Sequence, residues 1–226
     1  MKIIARIYTE FDEKFGIPRQ SGLVKETVGK IVFEPEYRVP EAFRGIEGYS
    51  HLWLIWQFSE AVRDTWSPTV RPPRLGGNKR MGVFATRSPY RPNAIGLSSV
   101  KLIEVKETAN EGTVLIVGGA DLLSGTPIYD IKPYLAFTDS HPEATAGFSE
   151  PVREYALNVD FCKELLSKID ISKQNALVKI LEHDPRPSYQ DAPEREYGMR
   201  FSDYEIFFKV AENSLTVTRV ETVYKK

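Results

Sequence analysis

One cysteine, three histidines and no long apolar run leave this 226-residue chain little with which to build a disulfide, a metal centre or a membrane span. Cys162 has no partner for an intrachain disulfide, and a cysteine-based zinc site is excluded. His51, His141 and His183 lie far apart without ligand spacing, so no metal is expected. No stretch approaches the roughly 18 apolar residues of a membrane helix. The start MKIIARIYTE carries no apolar segment followed by a small-residue cleavage site, so no secretory signal is read. A soluble, cytoplasmic protein is the expectation. An excess of one charge is missing too, since 30 Lys and Arg against 31 Asp and Glu leave a formal −1. A nucleic-acid binder with that balance must gather its basic residues on one face.

What is present points to a folded β-rich body. Hydrophobic content of 42% and charged content of 27% are those of an ordered globular chain. Fifteen Gly and fifteen Pro favour short strands and turns over long helices. Ile3, Ala5 and Ile7 alternate with more polar neighbours, the signal of a half-buried strand. His51 to Phe58 (HLWLIWQF) is a continuous apolar run and suits a strand covered on both faces. VKLIEVKE, TANEG and TVLIV between Val100 and Val117 read as a hairpin. Such short strands suggest a barrel or a sandwich.

Beyond residue 155 the pattern changes. Phe161, Leu165, Leu166 and Ile169 recur at helical spacing and predict a helix over 158–169. A second helix is expected from an N-cap at Ser172 through Ala176, Leu177, Ile180 and Leu181, ending before Pro185. The strand-like runs YEIFFKV and SLTVTRVETVY follow. The expected organisation is a β-rich body over 1–155 and a small α+β unit over 156–226, joined through DSHPEATAGFSEP.

Three segments carry chemistry, 71–96 in two halves, 118–134 and 182–190. Arg71, Arg74, Lys79 and Arg80 stand among two prolines and two glycines, which fits a flexible basic loop on phosphates or a plain solvated loop. In the following RSPYRPN, two X-Pro pairs stiffen the backbone; if it is extended, Arg87, Pro89 and Arg91 share one face. Two parallel guanidiniums there either grip a carboxylate or phosphate, with Asn93 alongside, or pair with local carboxylates. Asp121, in the glycine-rich turn of GGADLLSGTP, either accepts from a ribose hydroxyl or an ammonium, or caps its own turn. Asp184, Arg186 and Tyr189 in DPRPSYQ form an exposed charged and aromatic set suited to stacking on a splayed base, unless they only close off the helix.

Taken with GIPRQSGL and GYSHLWLIW, the segments RPPRLGGNKRMGVFATRSPYRPNAIGLS, DLLSGTPIYDIKPY and DPRPSYQ resemble the TrmO (TsaA-like) family across nearly the whole chain. The resemblance implies a β-barrel that binds S-adenosylmethionine, in keeping with the lack of a strand–GxGxxG–helix motif. It implies a homodimeric methyltransferase acting on N6 of threonylcarbamoyladenosine at position 37 of threonine tRNA. Its cofactor contacts map onto Pro18, Arg19, Gln20, Phe58, Ser59, Arg87, Gly96, Leu97 and the run Asp121, Leu122, Leu123 and Ser124. Arg186 would face tRNA, and Asp184 or Tyr189 are the candidate bases. Alternatives are a non-catalytic module holding tRNA or S-adenosylmethionine, and a methyltransferase of this fold acting on another base or a small metabolite.

Overall fold

Residues 1–72, 75, 79–152, 156–186, 192 and 194–223 are described by the structure, a computed structural model. The first body contains β1 (Ala5–Tyr8), β2 (Val28–Phe33), β3 (His51–Gln57), the short pair β4 (Thr69–Val70) and β5 (Met81–Gly82), then β6 (Ile95–Thr108), β7 (Gly112–Gly118), β8 (Thr126–Pro133) and α1 (Ala136–Asp139). Six of these strands close a barrel in the order β1-β2-β7-β6-β3-β8, with every pairing antiparallel. Closure leaves no open edge in the six-stranded sheet itself. The expected mainly β fold with a barrel is what the chain adopts.

Strand period fixes what the barrel buries. Ala5 and Ile7 of β1, Ile31 of β2, Leu52 and Leu54 of β3, Leu115 and Val117 of β7 and Ile128 of β8 all point inward and meet in one core. The expectation that β3 is covered on both faces needs correction, because burial alternates along it. Its outward Trp53 is half-buried, with its ring centroid 5.3 Å from that of Tyr134 and its indole N–H donating to Asp139 at 2.9 Å.

The second body holds β9 (Asn158–Asp160), α2 (Lys163–Leu166), α3 (Ile171–Glu182), β10 (Tyr197–Phe201), β11 (Tyr204–Ala211) and β12 (Ser214–Thr222). Its sheet runs β10-β11-β12-β9, with β9 parallel to β12. The helix expected over 158–169 is therefore corrected to a strand followed by four residues of helix. Pairing of Asn158–Asp160 with the edge of β12 outweighs the helical spacing of the apolar residues, a case of tertiary contact overriding local pattern. For α3 the N-cap is Asp170, two residues before the expected Ser172, and its carboxylate accepts from the Ser172 amide at 2.9 Å.

The loop between β1 and β2 belongs to both bodies. Phe11 and Val24 are buried in the core of the second body, together with Leu177, Leu181, Met199 and Phe208. Gly16 adopts φ +94°, and a Cβ there would sit 2.3 Å from Met199 Sδ, so only glycine fits this close approach. Among the described residues no helix is long and apolar enough to cross a membrane, and no cluster of three or more His, Cys, Asp or Glu could hold a metal ion.

Candidate active site

At one end of the barrel, strand pairing stacks three side chains into a polar relay. Trp56, at the end of β3, lies directly across the ladder from Gly96 of β6. A Cβ on Gly96 would fall 2.2 Å from the Trp56 ring, so the glycine is what lets the indole lie flat on the strand. The indole N–H donates to Ser98 Oγ at 3.0 Å, and the Ser98 hydroxyl donates to Asp121 Oδ1 at 2.7 Å. Phe58 closes edge-on against Trp56, with ring centroids 4.2 Å apart.

Asp121 reaches this relay because Gly119, at φ +76°, turns the chain sharply after β7. Burial pushes the Asp121 carboxyl above the ordinary carboxylate range; the Ser98 hydroxyl, its own amide, the Ser21 amide and the nearby Arg87 charge oppose the rise. The carboxylate is thus half-buried and held, with a guanidinium close by.

The loop after β1 supplies the facing wall. Gly22 N–H donates to Gly119 O at 2.9 Å, and the Thr27 hydroxyl donates to Val24 O at 3.0 Å. Gln20 Oε1 accepts from the Arg87 guanidinium. Pro18 is buried and Arg19 exposed, the latter donating to Asp184 O at 3.2 Å and to Arg186 O at 2.9 Å. Three of the mapped residues serve mainly to join strands. Leu122 is buried in the barrel core, Leu123 O accepts from the Thr126 hydroxyl at 2.6 Å, and Ser124 N–H donates to Phe11 O at 2.7 Å. Ser59 is exposed in a short turn after Phe58. Leu97 is 57% exposed on the face of β6 opposite to Gly96 and Ser98, so it stands away from the relay.

The proline-stiffened segment does not run straight. Arg91 N–H donates to Pro89 O at 3.0 Å, a tight turn that parts the two arginines expected on a common face. Arg91 folds its guanidinium back onto Thr86 O at 3.1 Å and Ser88 O at 3.4 Å, while Arg87 reaches across to Gln20. Asn93 is exposed, and its carbonyl accepts from the Ile95 amide at 2.7 Å. In the basic loop Arg71 and Lys79 are exposed, Arg80 donates to Thr69 at 3.0 Å, and Arg74 lies outside the described residues.

The 184–186 turn departs from expectation. Asp184 and Arg186 are each only 9% exposed, where an exposed pair was predicted. Arg186 Nε and Nη2 donate to Asp184 Oδ1 and Oδ2, both at 2.9 Å. The cause is local, because Asp184 adopts φ +49° directly after the end of α3 and Pro185 then turns the guanidinium back onto it. Both carboxylate oxygens are occupied, which removes Asp184 as a free base. Tyr189 lies outside the described residues.

Sequence reasoning missed two features. Ser98 closes the NAIGLS stretch that carries the resemblance, yet no role was read for it, although the two-residue period places it on the same face as Gly96. Trp66 and Phe84, with ring centroids 6.0 Å apart, are exposed next to Arg63, whose guanidinium lies 4.1 Å from the Tyr90 ring centroid. Arg63, Trp66, Tyr90 and Arg91 line a small pocket. Exposed aromatics interleaved with arginines were the available signal.

The chain as a whole is similar to known proteins. Residues 6–140 match the model of the tRNA-methyltransferase O N-terminal domain, and residues 154–223 that of the TrmO C-terminal domain. The chain is 40% identical over 228 residues to the tRNA (adenine(37)-N6)-methyltransferase of Escherichia coli K12, covering 96% of each protein. It is 37% identical over 211 residues to a Pseudomonas aeruginosa protein named for S-adenosylmethionine-dependent methyl transfer, covering 90% of this chain and 89% of that one. A crystal structure of TrmO from P. aeruginosa superposes with a TM-score of 0.79 at 31% identity, over 97% of this chain and 95% of that one.

Proposed function

The chain belongs to the TrmO family, and from that membership we propose that it transfers the methyl group of S-adenosylmethionine to N6 of the adenosine at position 37 of tRNA. The finer substrate is N6-threonylcarbamoyladenosine in threonine tRNA. The working form is a cytoplasmic homodimer, with 1–155 as the donor-binding body and 156–226 as an added tRNA-contacting unit.

The relay at the barrel end fits the methyl donor by chemistry. The donor combines a carboxylate and ammonium, a hydroxyl-bearing ribose and a flat purine. Asp121 is suited to a hydroxyl or the ammonium, Arg87 to the carboxylate, and the Trp56–Phe58 edge to the ring. The observation that carries the reading is the hydrogen-bonded line Trp56–Ser98–Asp121 with Gln20 and Arg87 facing it.

When bound, the donor supplies an already activated methyl group on a sulfonium, so the protein's task is alignment. Gln20 holds the Arg87 guanidinium in place, and Ser98 holds Asp121. Arg91 stiffens the 86–91 loop from within and lines the small pocket with Arg63, which suits it to the threonyl carboxylate. The acceptor N6 is urea-like and must lose its proton as the new bond forms. With Asp184 committed to Arg186, the threonyl carboxylate of the substrate or Tyr189 is left to take it. Arg71, Arg74, Lys79 and Arg80 supply phosphate contacts, making tRNA affinity salt-dependent.

Methyl transfer measured by nucleoside mass spectrometry on two tRNAs tests the substrate. Threonylcarbamoylated tRNA should be methylated and unmodified adenosine-37 tRNA should not. Equal rates on both would remove the carboxylate-recognition part of the proposal.

A further inference from the structure

We infer that Arg19 is a positioning residue through which the 184–186 turn of the second body sets the donor affinity of the barrel site, an inference resting on the donor-binding reading above. The family resemblance maps a cofactor contact onto Arg19, but its guanidinium points the other way. It donates to Asp184 O at 3.2 Å and to Arg186 O at 2.9 Å. Those carbonyls belong to a turn that is itself locked, since the Asp184 and Arg186 side chains are paired through two bonds of 2.9 Å and almost fully buried.

The next residues in the chain face the site. Gln20 accepts from Arg87, the Ser21 amide bonds Asp121, and Gly22 donates to Gly119 O at 2.9 Å. Four consecutive residues therefore span from the second body to both charged groups of the barrel relay. Around them the loop is anchored on the second body's side, by Phe11 and Val24 in its core and by Gly16 against Met199. A segment fixed this way has little freedom of its own. Releasing Arg19 from the turn lets residues 20–22 relax, and Gln20 then no longer holds Arg87 toward Asp121. The ion pair of the DPR turn, far in sequence from the donor-facing residues, thus acts as the peg on which the loop hangs.

Calorimetric titration with S-adenosylmethionine, alongside hydrogen exchange of the donor-free protein, tests this. Arg19→Ala and Arg186→Ala should each weaken donor binding about tenfold, the usual scale of coupling between linked sites. The double variant should be no weaker than the worse single, because both act through one joint. Arg19→Lys, whose ammonium still reaches carbonyls, should recover part of the loss. Amides of residues 20–22 should exchange faster in Arg186→Ala even without donor. Val217→Ala, a truncation in the same core, provides the control for lost stability. It should lower the melting temperature yet leave donor affinity and loop exchange unchanged.

Wild-type affinity in Arg186→Ala overturns the inference, as do additive losses in the double variant, which would mean that Arg19 meets the donor independently. An equal loss in Val217→Ala also overturns it, by reducing the effect to general stability. Failure of the wild type itself to bind donor overturns the function and this inference together; normal binding by wild type and Arg186→Ala alike overturns the inference alone.

Discussion

The barrel end and the 184–186 turn each hold an aspartate beside an arginine, and the two regions use the pair in opposite ways. At the turn, both Asp184 oxygens are taken by Arg186, and both residues are withdrawn from solvent. At the barrel end, Asp121 takes a hydroxyl and backbone amides, while its neighbour Arg87 is exposed and bonds to Gln20 instead. The first pair has spent its hydrogen-bonding capacity inside the protein and works as a joint. The second leaves its guanidinium exposed, beside a carboxyl that burial holds above its ordinary range. Unspent capacity in a partly buried setting separates a binding site from a structural ion pair.

The sharpest way to break this contrast is to remove one partner of each pair. Asp184→Ala takes the paired carboxylate from the buried Arg186 guanidinium and should cost about 3–5 kcal/mol of stability, read by denaturant unfolding. A loss below about 1 kcal/mol, the level of an exposed pair, would show that the turn is no joint. Arg87→Ala should do the reverse. Donor affinity should fall roughly thirtyfold, from the loss of about 2 kcal/mol in charged hydrogen bonding, while the melting temperature holds.

Asp121→Asn separates the two roles by pH. A carboxyl whose folded pKa is raised binds its proton more tightly when folded, so its ionisation destabilises the protein at neutral pH. That cost is absent below the unfolded value of 3.8 and grows as pH rises through the folded one. Asp121→Asn should therefore be more stable than wild type at pH 7, with the gap closing under acid, yet bind donor more weakly. Unfolding curves across pH that keep a constant gap would contradict this. The smallest effect should come from Lys30→Ala, which breaks a half-exposed pair with Glu111 on the barrel wall. About 0.5 kcal/mol of stability and no change in donor affinity are expected.

Local pattern revealed the elements whose neighbours in sequence are also neighbours in space. The β6–β7 hairpin was legible from VKLIEVKE, TANEG and TVLIV, and α3 from its apolar spacing. Asn158–Asp160 was misread because its partner, β12, lies more than fifty residues away. The candidate site shows the same divide. Arg87 and Asp121 each stand in a conspicuous glycine- or proline-rich segment and Gln20 was marked only by the family resemblance, but their meeting depends on barrel closure, which no spacing encodes. Ser98 lies at the very end of the long arginine- and proline-rich motif, and only strand parity with Gly96 turns it toward Asp121. The burial of Arg186 turned on a single left-handed residue before a proline, and the letters DPR read equally well as an exposed loop.

A crystal structure with the product S-adenosylhomocysteine decides whether the methyl donor sits at the Trp56–Ser98–Asp121 relay. The ligand should lie within hydrogen-bonding distance of Asp121 or Arg87 and against the Trp56–Phe58 edge. Density for the ligand in the pocket of Arg63, Trp66 and Tyr90, with Asp121 and Arg87 untouched, would contradict it.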